Sequence, residues 1–301
     1  MLMRWLIYSG ALIACLWAQT ALPQEIRVTD ARGQKIVLNK PAERIIALAP
    51  HIVENLFSAG AGDKLIGVAS YSDYPAAAKQ LPQVGSFAVI NVEQILAMQP
   101  DLIIGWQSGN RAEGLQQLEN LGLTVYLDEP HTLEDVAKSI RHFGTLAGTE
   151  QSSETVTADY LQRIAALRDK YQQRTPVSVL YQVWHDPLQT LNDQHLVSDM
   201  IRLCGGRNLY ADAVTLAPKI NIESVLVRDP QAIVASGNNK KRPPWLDNWR
   251  QYSGLTAVKH DNLFAINPDW LQRHTLRTLQ GAEQLCQNLN TARQRLYPAD
   301  S

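Results

Sequence analysis

Four large aromatic residues and one charged pair have the types and spacing to hold a ligand: Tyr71, Trp106, Trp184 and Trp270, with Asp269 and Arg273 flanking the last. Each ring follows closely on a short apolar run, at 65–70, 102–105, 177–183 and 263–266. Aromatic faces stack on flat molecules and add about 0.5–1.5 kcal/mol per ring pair beyond the area they bury. Four of them suit a broad, planar, amphipathic ligand rather than a small sugar or amino acid. Any one ring could instead plug the end of its own core, but recurrence at four run ends favours the ligand. Asp269 and Arg273 stand four apart, so a helical turn would put them on one side. There they clamp polar groups at a ligand edge, or form a surface ion pair of little consequence.

Catalytic constellations do not emerge. His51, His131, His142, His185, His195, His260 and His274 show neither His-x-x-x-His nor His-Glu-x-x-His spacing, and the chain has no Cys-x-x-Cys, Gly-x-Ser-x-Gly or Walker sequence. An enzyme using the same rings, with Asp269 or His185 as base, would lack a nucleophile to pair with it. With 28 Lys and Arg against 29 Asp and Glu, and no basic block to neutralise phosphates, nucleic acid is not an expected partner. No metal site is expected. The residues read as those of a binder.

These side chains need elements to position them, and a repeat supplies the frame. Asn91-Val-Glu-Gln-Ile-Leu-Ala-Met-Gln-Pro returns 130 positions later as Asn221-Ile-Glu-Ser-Val-Leu-Val-Arg-Asp-Pro, each followed by an apolar run. In both copies an Asn cap opens a helix, Pro closes it and a strand follows. Continuous apolar runs suit strands covered on both faces, as in parallel sheets. Around the first copy the pattern predicts a hairpin at 25–30 and 35–39, strands at 44–49, 65–70, 102–105 and 124–127, and helices at 52–59 and 115–121. Residues 151–174 lack Gly and Pro, and Val156, Tyr160, Ile164, Leu167 and Tyr171 recur at helical spacing, which predicts one long amphipathic helix. Strands at 177–183, 232–235 and 263–266, a loop at Pro243 and Pro244, and a closing helix at 275–289 complete the second copy. The expected fold is two α/β lobes with central parallel sheets joined by a single long α-helix: 21–150, a link at 151–175, and 176–301. Ligands of such sheets bind beyond the carboxyl ends of the strands, where the four rings stand.

The first residues, Met-Leu-Met-Arg and an apolar run from Trp5 to Trp17, read as a secretory signal at 1–20. Cleavage after Thr20 gives a soluble periplasmic protein, whereas Leu12-Ile13-Ala14-Cys15 would allow lipid anchoring at Cys15. Once the signal is removed, only Cys204 and Cys286 remain in an oxidising compartment, and a bridge between them is expected over two separate buried thiols.

The strings Tyr71-Ser72-Asp73-Tyr74-Pro75 and 100–106, with Asp269, Trp270 and Arg273, resemble the periplasmic cobalamin-binding proteins of bacterial vitamin B12 importers. These are a branch of the helical-backbone, or class III, solute-binding proteins, which also bind siderophores and haem. The likeness covers nearly all of the chain from Arg44 onward. It implies a monomer in the Gram-negative periplasm that holds a corrinoid between its lobes as cargo, with no cofactor. The implied partner is an inner-membrane ABC permease dimer with its ATPase subunits. By position, the resemblance puts Tyr71, Trp106 and the stretch Asp269, Trp270, Leu271, Gln272 and Arg273 at the ligand, and matches Cys204 and Cys286 to the family's disulfide. Glu93 and Glu223 match two acidic residues, one per lobe, that dock onto permease arginines, a pseudo-symmetric pair suited to a twofold partner. Two further cleft tryptophans of the family align with Phe87 and Ala217, and Trp184 stands one place beyond a cleft Phe that aligns with Val183. Phe87 and Trp184 are carried as lining residues. The hairpin before Arg44 is more typical of siderophore binders, so a ferric siderophore or haem is the alternative ligand. Anionic siderophores would call for several convergent cations, and Arg273 is the main one at the strand ends.

Overall fold

The computed structural model describes residues 25–236 and 242–298; the expected signal at 1–20 and Cys15 lie outside them. Strands β1 (Ile26–Thr29) and β2 (Lys35–Leu38) pair antiparallel as the expected hairpin. The first lobe runs β3 (Ile45–Ala47), α1 (Pro50–Ser58), β4 (Leu65–Val68), α2 (Val92–Ala97), β5 (Leu102–Trp106), α3 (Ala112–Asn120), β6 (Val125–Asp128) and α4 (Leu133–Ala147). Helix α5 (Glu150–Tyr171) follows. Beyond it come β7 (Val177–Gln182), a small hairpin β8 (Trp184–His185) and β9 (Leu188–Gln189), α6 (Leu196–Leu203), β10 (Gly206–Asn208), α7 (Ile222–Arg228) and β11 (Ala232–Ser236). The chain ends in α8 (Thr256–Lys259), β12 (Leu263–Ile266), α9 (Pro268–Leu271) and α10 (Thr278–Leu296).

Both main sheets are wholly parallel, and they share one topology. The first is ordered β4-β3-β5-β6 and the second β10-β7-β11-β12, so in each lobe the second strand lies at the edge beside the first, then the third and the fourth. The sequence repeat is the same piece of that topology twice: α2 into β5, and α7 into β11. Asn91 and Asn221 cap the two helices as expected, their side-chain oxygens accepting the amides of Gln94 at 3.1 Å and Ser224 at 2.8 Å.

The apolar runs are continuous because alternate residues serve different cores. Ile45, Ala47, Leu102 and Ile104 enter one cluster, while Ile46, Leu48 and Ile103 face a second with Ile95 of α2 and Leu115 and Leu118 of α3. In the second lobe Val177, Val179, Tyr181, Ala232 and Val234 join the first cluster, and Leu180, Ile233 and Ala235 join a third. The first cluster therefore runs through both lobes, and Tyr160, Ile164 and Tyr171 of α5 are part of it.

Helix α5 packs against α1 and α4 on one side and α6 and α10 on the other. Its buried face is less apolar than the expected seam: Val156 and Leu167 are half-buried, while Ser153 and Thr157 are fully covered. Ser153 lies where a methyl group on Gly144 of α4 would have to go, so the two helices approach through small residues. Helix α4 itself is absent from the expectation, although Thr132 and Asp135 form a capping box at its start. Helix α10 runs to Leu296 rather than 289. Its extra turns bury Arg293, which donates to the carbonyls of Thr175 (2.6 Å), Cys204 (2.6 Å) and Gly205 (2.7 Å). The expected disulfide, Cys204 to Cys286, ties the end of α6 to α10.

Candidate functional site

In a sheet of this order the strands flanking the first one connect in opposite directions, and the groove opens beyond the carboxyl ends of β3 and β5. Trp106 stands there. It is the last residue of β5, still paired with Asp128 of β6, so the ring leaves from ordered strand rather than from the loop after it. Asn110 fixes it: its Oδ1 accepts the Trp106 amide at 2.7 Å, and its Nδ2 donates to the carbonyls of Leu48 at 3.0 Å and Phe87 at 2.8 Å. One buried amide thus joins the ends of β3 and β5 to the Phe87 loop. Gly109 is needed beside it, because any Cβ would run into the Trp106 ring. The ring meets His51 at 5.1 Å and Phe87 at 6.4 Å between centroids, and Phe87 is 42% exposed.

Tyr71 projects from the turn after β4 and is 74% exposed. Its φ is 68°, a left-handed conformation costing a residue with a Cβ roughly 1–2 kcal/mol. Ser70 and Ser72 hold the turn, their hydroxyls donating to Gly85 O at 3.0 Å and Ala69 O at 2.7 Å.

The second lobe contributes α9 and the residues after it. Asn267 caps the short helix by accepting the Asp269 amide at 3.0 Å. Trp270 is half-buried, and its backbone lies so close to α10 that only glycine fits at Gly281. Leu271 departs from the sequence expectation: it is 0% exposed inside the shared core, so its side chain packs rather than lines an opening. Gln272 donates to Ser236 Oγ at 2.7 Å, at the end of β11. Trp184 opens the β8–β9 hairpin instead of ending β7, and joins a separate aromatic group. Its ring lies 5.1 Å from His185, which stacks on Trp245 at 5.5 Å and 10°. Ala217 is exposed, next to Leu216.

Ion pairs cross from lobe to lobe at this seam. Arg273 bonds Asp73 at 2.6 Å and Asp269 at 3.3 Å. Arg277 takes Glu54 bidentately at 2.7 and 2.6 Å, lies 3.6 Å from Asp269, and sits 4.2 Å over the Tyr74 ring. Asn55 donates to the His274 carbonyl at 2.8 Å. His274 packs edge-on to His51 at 5.6 Å and against His195 at 5.5 Å, and a pocket of about 30 Å3 is lined by Trp106, His131, His195, Leu216 and His274. Burial, reinforced by Arg273, pushes His51 down to about 3. Burial and the His131 charge push His195 down to about 4, and burial with the neighbouring histidines takes His274 well below its ordinary value. At neutral pH the rings of these three are uncharged.

The structure thus gathers Trp106, Phe87, Asp269 and Arg273 around one seam, with the Tyr71 turn reaching it through Asp73. Sequence reading missed Asn110, Gly109, His51, His274, Glu54 and Arg277. Two of these carried a signal, Gly109 and Asn110 closely following an aromatic at a strand end; the histidines and the Glu54–Arg277 pair meet only in the folded chain. Glu93 and Glu223 stand exposed in the first turns of α2 and α7, without a side-chain partner among the described residues. No cluster of three or more metal-binding side chains occurs among those residues.

A sequence profile of periplasmic binding proteins matches residues 45–270. A vitamin B12-binding protein of Vibrio cholerae is 40% identical over 252 residues, 84% of this chain and 91% of that one. The crystal structure of the periplasmic vitamin B12 binding protein of Vibrio cholerae superposes with a TM-score of 0.78 at 40% identity, covering 84% of this chain and 98% of that one. A periplasmic heme-binding protein from Roseiflexus, in apo form, superposes with a TM-score of 0.72 at 26% identity, covering 83% and 99%.

Proposed function

Because the chain belongs to the periplasmic binding protein family, we propose that it captures cobalamin between its lobes and delivers it, unaltered, to an inner-membrane ABC importer. One observation carries this reading: the 40% identity, over 84% of the chain, to a protein named for vitamin B12. The geometry supplies fitting chemistry. Exposed aromatic faces at Tyr71 and Phe87, with Trp106 beside Phe87, offer stacking surface, and Gln272, Asp269 and Arg273 offer hydrogen-bond partners for the amide side chains of a corrinoid. Trp270 of α9 extends the wall, whereas Trp184 stays in its separate group with His185 and Trp245. Cobalamin passes as cargo, and no cofactor is invoked.

Export by residues 1–20 puts the protein in the Gram-negative periplasm, with a lipid tether at Cys15 as the alternative to a free mature chain. Glu93 and Glu223 begin matching helices, one per lobe, and are the contacts offered to the two permease subunits.

Calorimetric titration with cyanocobalamin, read in parallel by tryptophan fluorescence, tests the reading. Strong binding with quenching is expected, and Tyr71→Ala and Trp270→Ala each weaken it by about 1–3 kcal/mol. No heat and no quenching at micromolar protein would refute cobalamin. A haem or ferric siderophore is the second reading, favoured by the Roseiflexus heme-binding relative, and the same titration with those ligands discriminates.

A further inference from the structure

We propose that Asp73 is a specificity residue of this cleft, holding Arg273 so that uncharged corrinoids enter while carboxylate-bearing molecules of the same shape are turned away. The proposal rests on the cobalamin reading above.

Among the described residues, two guanidinium groups and three carboxylates meet at the seam. Arg277 is taken up by Glu54 through two hydrogen bonds and covered by Tyr74. Arg273 is held by Asp269 from its own segment and by Asp73 from the opposite lobe. His51 and His274, beside them, are buried and uncharged at neutral pH. An anion approaching Arg273 meets the carboxylates of Asp73 and Asp269 already bonded to it, and competes with them for its N–H groups. An uncharged amide faces no such competition, since it can accept from a guanidinium edge or donate to a carboxylate oxygen without breaking the pair.

Position alone does not explain Asp73. Asp269, four residues from Arg273 and largely covered, already orients the guanidinium, whereas the Asp73 side chain is 54% exposed. What the second carboxylate adds is negative charge beside a guanidinium that is 20% exposed and that a ligand could otherwise claim. The simpler alternative is a half-exposed ion pair that merely links the lobes. The two differ in what they predict for ligand charge: a structural tie affects neutral and anionic ligands alike, while a charge filter affects only the second.

The probes are cyanocobalamin and its monocarboxylic acid, in which one side-chain amide is hydrolysed, leaving the shape unchanged and adding one negative charge at pH 7.5. Wild type is expected to bind the acid at least about tenfold more weakly than the amide, a gap that narrows in high salt. Asp73→Asn is expected to shrink the gap by about tenfold through tighter binding of the acid, and Asp73→Glu to restore it. Equal affinity of wild type for the two ligands overturns the proposal and needs no variant. So does an Asp73→Asn variant that shifts both affinities by one factor. Failure of wild type to bind cyanocobalamin at all defeats the cobalamin reading first, and shows in the neutral ligand before the acid is tried.

Discussion

Replacing Gly109 by Ala tests whether the Trp106 ring is a working surface, because it moves the ring without removing it. The backbone at 109 needs no left-handed angle, so alanine is conformationally acceptable there. The added methyl, however, falls inside 3.0 Å of three carbons of the Trp106 ring, where ordinary contacts begin at 3.4 Å. The ring cannot simply retreat: His51 packs at 5.1 Å and His274 at 6.3 Å, and the Trp106 amide is held by Asn110. Overpacking of this kind costs about 1–3 kcal/mol of stability, and a displaced anchor ring costs affinity of similar size, roughly 5- to 150-fold. Cyanocobalamin titration by calorimetry, with far-UV circular dichroism to verify folding, reads both. Gly254→Ala, where a methyl meets nothing within 4 Å, is the control. A Gly109→Ala variant that binds with wild-type affinity and unchanged fluorescence would refute the assignment of Trp106 to the ligand surface.

Removing the disulfide with Cys204→Ala and Cys286→Ala opens a loop of 82 residues and is expected to lower unfolding stability by about 4–5 kcal/mol in the chain-entropy account, read by denaturant titration. Acidification should weaken the fold through His51. Its folded value of about 3 lies below its ordinary 6.5, so the unfolded chain binds the extra proton and stability is lost as pH falls from 6.5 towards 3. Asp128, raised by burial to about 7, acts in the opposite sense, being more stabilising as pH falls from 7 towards 3.8. Melting curves between pH 7 and 4.5 should therefore flatten in His51→Gln and steepen in Asp128→Asn; unchanged slopes in both would show that neither group couples to folding. Reversing both Glu93 and Glu223 to Lys should leave cyanocobalamin affinity intact and abolish uptake in cells, and surviving uptake would remove their docking role.

What the chain spells out locally could be read before folding. The two Asn-capped helices, the strands behind them and the disulfide partners all follow from residues close in sequence or from simple elimination. Boundaries moved where side chains outside the apolar alphabet did the packing, as Ser153 and Thr157 do on α5. Helix α4 had its cap and its seam of Leu133, Val136, Ile140 and Phe143 in plain view, and was passed over between the predicted strand at 124–127 and the helix after it. Leu271 shows the limit of carrying a stretch over whole: on a helix successive side chains are turned by about 100°, so Trp270 can face an opening while Leu271 fills the core. The Glu54–Arg277 and His51–His274 contacts join residues more than 200 positions apart, and no spacing rule reaches them.

That the largest core passes unbroken from one sheet through α5 into the other decides how the molecule can yield to force. A pair of halves on floppy tethers would swing like a door; these halves ride on a stiff axle whose surface is glued to both, with Tyr160 bonded to Thr278 at 2.8 Å as one of the rivets. Wide opening would expose apolar side chains to water, so the soft deformations are slight flexure and twist of that axle. Under the proposed role, prying the jaws apart far enough to let go of a bulky guest would be the work of an outside agent that grips both rims at once.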